Sequence, residues 1–273
     1  KEAAPIGNAL PAGFVPPPRS ISDISAMLDN EKPDAAKLAQ MKEDAEEEPD
    51  ANLGARERAE FYYDRANTRS LLGRYPDAMA DARKALPLAV SAGEPLLGMY
   101  IRQFIALMKN GLGDPNGSMK DFIALARDTD NKPGVGGFVF NANRNAMQAM
   151  VAVGDIQAAE GLLRQVSAKI VDYRTSGIPG KREGYAQRGR NWEAEFNASR
   201  AIILDARGQY REAEAAYKLA SDYKRAAVPD QLKLDYSSPE EQMLRAIDQD
   251  LMNVARMKAR QGRLAEAEVD ARR

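Results

Sequence analysis

The sequence predicts an all-α chain: a right-handed α-solenoid of antiparallel helical hairpins behind an irregular, Pro-rich N-terminal lead-in. Three observations lead there. A Gly followed five residues later by a small residue recurs, as Gly73 with Ala78, Gly154 with Ala159, Gly208 with Ala213 and Gly262 with Ala267, with a weaker copy in Gly113 and Ser118. Each Gly stands where one apolar period of about 3.6 residues stops and another restarts. Gly at such a point ends a helix in a left-handed turn, and the small residue lets the next helix pack back closely. Finally, aromatics are only 7% of the chain while Ala is abundant, a balance that favours helix over sheet.

Residues 1–54 read as a lead-in with one or two short helices and an acidic linker. The first twenty residues hold five prolines and no period, so they should be extended. An Ala/Pro-rich start of this kind suits a mature exported or periplasmic protein. Ser22-Asp23 can cap a short helix carrying Ile24, Met27 and Leu28. A second helix should follow Lys32-Pro33-Asp34, with Leu38 and Met41 on its apolar side. It runs into the acidic stretch 43–48 and is stopped by Pro49-Asp50. Acid near a helix C-terminus opposes the helix dipole, so fraying is expected there.

Residues 55–273 read as an array of about five hairpins, the last one truncated at Arg273. The marker glycines are 40, 41, 54 and 54 residues apart, so the connections between hairpins should lengthen along the chain. The two longest, 174–191 and 226–241, read as loops lying over one face. In the first hairpin Tyr62, Ala66 and Arg69 share a stripe; Tyr75, Ala78, Met79, Ala82, Ala85 and Leu86 form the returning one. Each pair of helices rests on its neighbours, so the truncated fifth pair should exchange its amides fastest, over 244–273.

These residues resemble the tetratricopeptide repeat family. The first hairpin supplies its small, Gly, Tyr, Ala, Ala pattern as Ala66, Gly73, Tyr75, Ala78 and Ala85, and the fourth as Ala201, Gly208, Tyr210, Ala213 and Ala220. The fifth offers Ala255, Gly262, Leu264 and Ala267. The second and third depart from it, with Pro115 and Ile156 at the turn Tyr and Ser118 at the Ala. The resemblance implies a solenoid that binds partner peptides or domains in a concave groove. A narrower likeness lies in GRLAEAE at 262–268, which resembles the N-terminal helical half of bacterial proteins carrying a C-terminal CHAT (caspase-like) protease domain. That domain would use a His/Cys pair, and this chain has neither residue.

The absence of Cys and His removes thiolate nucleophiles, disulfides, Cys/His zinc sites and the usual base near neutral pH. No catalytic residue, metal or cofactor is implied. A net charge of -1 gives no global attraction to nucleic acid or acidic lipid. Nor is there an apolar run of about 18 residues that would span a membrane.

The groove residues expected from the leading helices are Tyr63, Asn67, Tyr100, Gln103, Asn141, Arg144, Gln148 and Arg256. Glu60, Ser70, Leu107, Asn110, Glu195, Ile202, Gln249 and Met252 should flank them. Amide and aromatic groups suit an extended peptide, and the two arginines suit an acidic side chain. The groove is equally readable as solvated or as filled by the lead-in. A second contact segment, 173–192, carries Lys181, Arg182, Arg188 and Arg190 interleaved with Tyr185 and Trp192. It can be read as a nucleic-acid or other polyanion contact, a protein contact, or loop packing. Three enzyme-like spellings fail for lack of partners. Ser221-Asp222-Tyr223-Lys224 lacks the companion acylase motifs, and Gly134-Val135-Gly136-Gly137 lacks a strand and Lys. Asp128-Thr129-Asp130-Asn131 lacks the Gly and Glu of a calcium loop.

Overall fold

The computed structural model describes residues 34–129, 138–233 and 240–271. Among them are eleven α-helices and no strand, and no helix long and apolar enough to cross a membrane. The chain divides into two compact units, residues 1–47 and 48–273. The lead-in expected at 1–20 and the short helix expected at 22–28 lie outside the described residues.

In the first unit, α1 (Ala35–Glu46) begins where the sequence places it. The Asp34 carboxylate accepts from the Ala36 and Lys37 N–H groups at 3.0 Å each, satisfying two donors that the first turn leaves open. The helix stops at Glu46, and Glu47 is already extended ahead of Pro49.

The second unit holds α2 (Ala55–Leu71), α3 (Tyr75–Ser91), α4 (Pro95–Gly111), α5 (Pro115–Thr129), α6 (Phe138–Ala152) and α7 (Ile156–Thr175). These lead into α8 (Pro179–Ala206), α9 (Tyr210–Gln231), α10 (Glu240–Arg260) and α11 (Leu264–Ala271). Each helix packs on the next in sequence order, and α6 also packs on α8.

One turn chemistry produces that order. At Gly73 (φ 74°) the Gly73 N–H donates to the Ser70 carbonyl at 3.0 Å and the Arg74 N–H donates to the Arg69 carbonyl at 2.8 Å. Together they cap α2 and reverse the chain, with Gly in the left-handed region. The same two bonds recur at Gly113, Gly154, Gly208 and Gly262. A sixth copy, which the sequence reading passed over, sits at Gly93 between α3 and α4. The residue five beyond each of these glycines is buried: Ala78, Gly98, Ser118, Ala159, Ala213 and Ala267.

The long connection expected over 174–191 is corrected by the structure. α7 runs to Thr175 and α8 starts at Pro179, leaving Ser176, Gly177 and Ile178 between them. Gly180, Gly184 and Gly189 lower helix propensity here and dilute the apolar stripe. Packing overrides them. Tyr185, Gly189 and Trp192 share one helical face, and a Cβ on Gly189 would fall 2.9 Å from the Tyr185 ring. Likewise α9 continues through Pro229 to Gln231, so the start of the loop expected over 226–241 is helical. Residues 234–239 lie outside the described residues.

Three apolar clusters fill the unit. Ala59 and Ala66 on α2 meet Ala78, Ala82 and Ala85 on α3, all fully buried small residues at a helix crossing. The middle of the unit is aromatic instead. Phe140 stacks on Trp192 with centroids 4.5 Å apart, and Tyr173 stands edge-on to Trp192 at 5.1 Å. Ala201, Ala213, Ala216, Tyr217, Val254 and Met257 form the third cluster, across α8, α9 and α10.

The first hairpin also buries charge. Asp81 is fully buried on α3, and both of its oxygens are bonded. Arg65 Nε and Nη2 donate to Oδ2 and Oδ1 at 2.9 and 3.0 Å, and Arg69 Nη1 donates to Oδ2 at 2.6 Å. The Arg65 guanidinium lies 5.3 and 5.4 Å from the Phe61 and Tyr62 ring centroids. Burial works against its charge, but Asp81 and Glu48 outweigh that and hold its pKa above the ordinary value.

Candidate functional site

Helices α2, α4, α6, α8 and α10 each lead a hairpin, and side chains link them sideways. Tyr63 on α2 meets Phe104 on α4 edge-on, centroids 5.9 Å apart. Tyr100 on α4 meets Phe138 on α6 at 5.0 Å. Arg144 Nε on α6 lies 2.6 Å from Glu195 Oε2 on α8. Arg256 Nη2 on α10 lies 3.1 Å from Asp205 Oδ2 on α8. The α6–α8 link is both ionic and aromatic, through Arg144–Glu195 and the Phe140–Trp192 stack.

The expected groove residues fall on this series, and six of the eight are engaged within the chain. Besides Tyr63, Tyr100, Arg144 and Arg256, the Asn67 amide donates to the Tyr63 carbonyl at 2.9 Å. Asn141 Oδ1 accepts from the Asn145 amide at 3.0 Å. Gln103 is half-buried and Gln148 exposed, and neither side chain has a partner among the described residues. Burial raises the Tyr63 hydroxyl above its ordinary pKa, opposed by its hydrogen bond with Asn67.

The ionic end is a network. Asp250 on α10 is 4% exposed, with Lys224 Nζ of α9 at 2.7 Å from its Oδ2. Lys224 also donates to the Ala246 carbonyl at 3.2 Å. Burial is the main cause that raises the Asp250 carboxyl above the usual range; Lys224 and Arg144 oppose it and the Glu195 charge adds to it. Arg144 Nε, Glu195 Oε2 and Asp250 Oδ2 are all buried without a hydrogen bond among the described residues, although each sits at ion-pair distance. The attraction there is Coulombic, without the angular fit of a hydrogen bond. Beside it the Tyr217 hydroxyl is pushed up to about 12, chiefly by burial, with Arg256 opposing and Asp205 and Asp250 adding.

Asp205, Tyr217, Lys224 and Asp250 were missed as site residues in the sequence. One signal was available: Asp250 interrupts the apolar stripe Ile247, Val254, Met257 of α10, and an acid on such a stripe must have a buried partner.

The basic segment is laid out differently from a loop. Lys181 Nζ pairs with Asp172 at 2.6 Å and Arg190 Nη1 with Asp230 at 2.6 Å. The Tyr185 hydroxyl donates to Glu193 Oε1 at 3.1 Å, and Trp192 is 3% exposed. The aromatic faces that base stacking needs are therefore turned into the core, while Arg182 is exposed and Arg188 half-buried. In the acylase-like spelling Ser221 is buried on α9 and Lys224 is committed to Asp250. The glycine run at 134–137 lies outside the described residues, as do residues 130 and 131 of the acid run, and Asp128 pairs with Arg102 at 2.7 Å. No protein-family model matches the chain, and no curated protein is significantly similar to it.

Proposed function

We propose that this chain is a non-catalytic interaction scaffold, a right-handed solenoid of tetratricopeptide-like hairpins. It receives a partner peptide or domain along the series α2, α4, α6, α8 and α10. The observation that carries this reading is the sideways chain of contacts, Tyr63–Phe104, Tyr100–Phe138, Arg144–Glu195 and Arg256–Asp205, on one set of alternating helices. Alternating helices in register offer a partner one continuous face. Gln103 and Gln148 supply donors and acceptors that the chain itself does not use. By the narrower likeness of 262–268 to CHAT-domain proteins, the partner domain would be a C-terminal protease domain held in cis.

Selection of displayed peptides against the wild type, followed by titration against Gln103→Ala/Gln148→Ala, tests the reading. Gln148 is exposed, Gln103 is half-buried, and neither side chain has a partner among the described residues, so the fold should be kept. Loss of two amide contacts should weaken selected peptides by roughly 5–30-fold. Failure to enrich any peptide, or peptides indifferent to this variant and to Arg144→Gln alike, removes the proposal.

A further inference from the structure

A cavity of 340 Å3 lies between α5, α6 and α7, away from the alternating-helix contacts above. That is within the range of about 300–1,000 Å3 in which small-molecule sites fall. Val139, Asn143 and Met150 line it from one face of α6, and Leu162 and Val166 from α7. Three features of its lining point to a ligand.

The first is Asn143. It is 9% exposed, sits on the stripe between Val139 and Met150, and its side-chain amide makes no hydrogen bond with a described residue. Its polar atoms are not sealed off, so a polar atom of a ligand could take the place of water on them. The second is Gly161 on α7. A Cβ there would meet only Arg164 Nη2, at 3.8 Å, so close packing does not require Gly although helix propensity disfavours it. Its missing side chain leaves room in the cavity. The third is charge. Arg127 lines the cavity, exposed and without an ion pair among the described residues, and no described carboxylate lines it.

We propose that this cavity binds a small organic carboxylate whose apolar body carries one further polar group. The carboxylate pairs with Arg127, the body lies against the aliphatic walls, and the second polar group bonds to the Asn143 amide. The polar ends set specificity and the walls supply most of the affinity.

Calorimetric titration of the full chain with three probes of one ring size tests this: 3-(4-hydroxyphenyl)propionate, 3-phenylpropionate and tyramine. The hydroxy acid should bind saturably at one site. Loss of the phenol, one hydrogen bond, should weaken binding about fivefold. Tyramine, with an amine for the carboxylate, should not bind. Asn143→Leu should erase the preference between the two acids with helical circular dichroism unchanged. Gly161→Leu should abolish binding of both acids with helical circular dichroism unchanged. No saturable heat with either acid, tyramine binding as tightly as the acids, or unchanged binding by Gly161→Leu overturns the proposal.

Discussion

Two buried ionic clusters lie in the second unit, one in the first hairpin and one spanning α6 to α10, and they are built to different standards. In the first hairpin, Asp81 is met by Arg65 through two aligned bonds and by Arg69 through a third. Between α6 and α10, Arg144, Glu195, Lys224 and Asp250 reach ion-pair distance, yet three of their buried atoms lack hydrogen-bond geometry. The first cluster is saturated and fixes one crossing of α2 on α3. The second holds four helices by Coulomb attraction that tolerates small displacements. In the proposed scaffold the first would give a rigid start and the second a face that can shift as a partner arrives.

The largest effect that would break this contrast is at Asp81. Asp81→Ala leaves two cations facing a buried site and should cost about 3–5 kcal/mol in urea denaturation. A cost below that of Asp250→Asn would invert the comparison. Asp250→Asn should cost only about 1–2 kcal/mol, since its Oδ2 has no aligned bond to lose.

The same residue carries a pH signature. The folded Asp250 carboxyl has a raised pKa, so the native state holds its proton more tightly than the unfolded chain does. Its contribution is full below the unfolded value and is lost as pH rises through the folded one. Wild type should therefore gain stability relative to Asp250→Asn as pH falls from neutrality towards the ordinary carboxyl range. A gap that narrows on acidification contradicts that sign. Glu195→Gln removes a charge that raises the Asp250 pKa, so in that background the acid-side gain should shrink. Its own cost at neutral pH should be about 1–2 kcal/mol, because Arg144 Nε stays buried without its counter-charge.

The smallest change is expected from the largest substitution. Arg65→Met/Arg69→Leu/Asp81→Leu replaces a saturated buried cluster by apolar groups, and net stability should move by no more than about 1 kcal/mol. A loss as large as that of Asp81→Ala alone would show that the ions, rather than the volume they fill, hold the crossing.

The fold was legible where one residue type has no substitute. Five of the six turns were readable because a left-handed C-cap selects Gly and a close crossing selects a small residue. The sixth was missed because its small residue is Gly98 rather than Ala or Ser. Residues 174–191 were misread because four glycines and a proline contradict helix locally. Burial of Trp192 against Phe140 and Tyr173, with the Tyr185 ring seated over Gly189, decides the matter through packing. The site was only half legible. Periodicity found Arg144 and Arg256, which project from the leading helices. It did not find that Glu195 and Asp205 already hold them, because the pairing joins helices about 50 residues apart in sequence.

Gly73, Gly93 and Gly113 are spaced 20 residues apart, and all three make the same turn. In this stretch the elementary module is therefore one helix with its turn, and the hairpin is a pair of modules. Length changes then come with a parity. Deletion of 74–113 removes two modules and returns the chain to the same direction on the same face. Deletion of 74–93 removes one, runs every later helix backwards relative to α2, and exchanges the leading face for the returning one. The even deletion should keep a cooperative thermal transition and the odd one should lose it, with the alternating order of faces acting as a check on which insertions the array can accept.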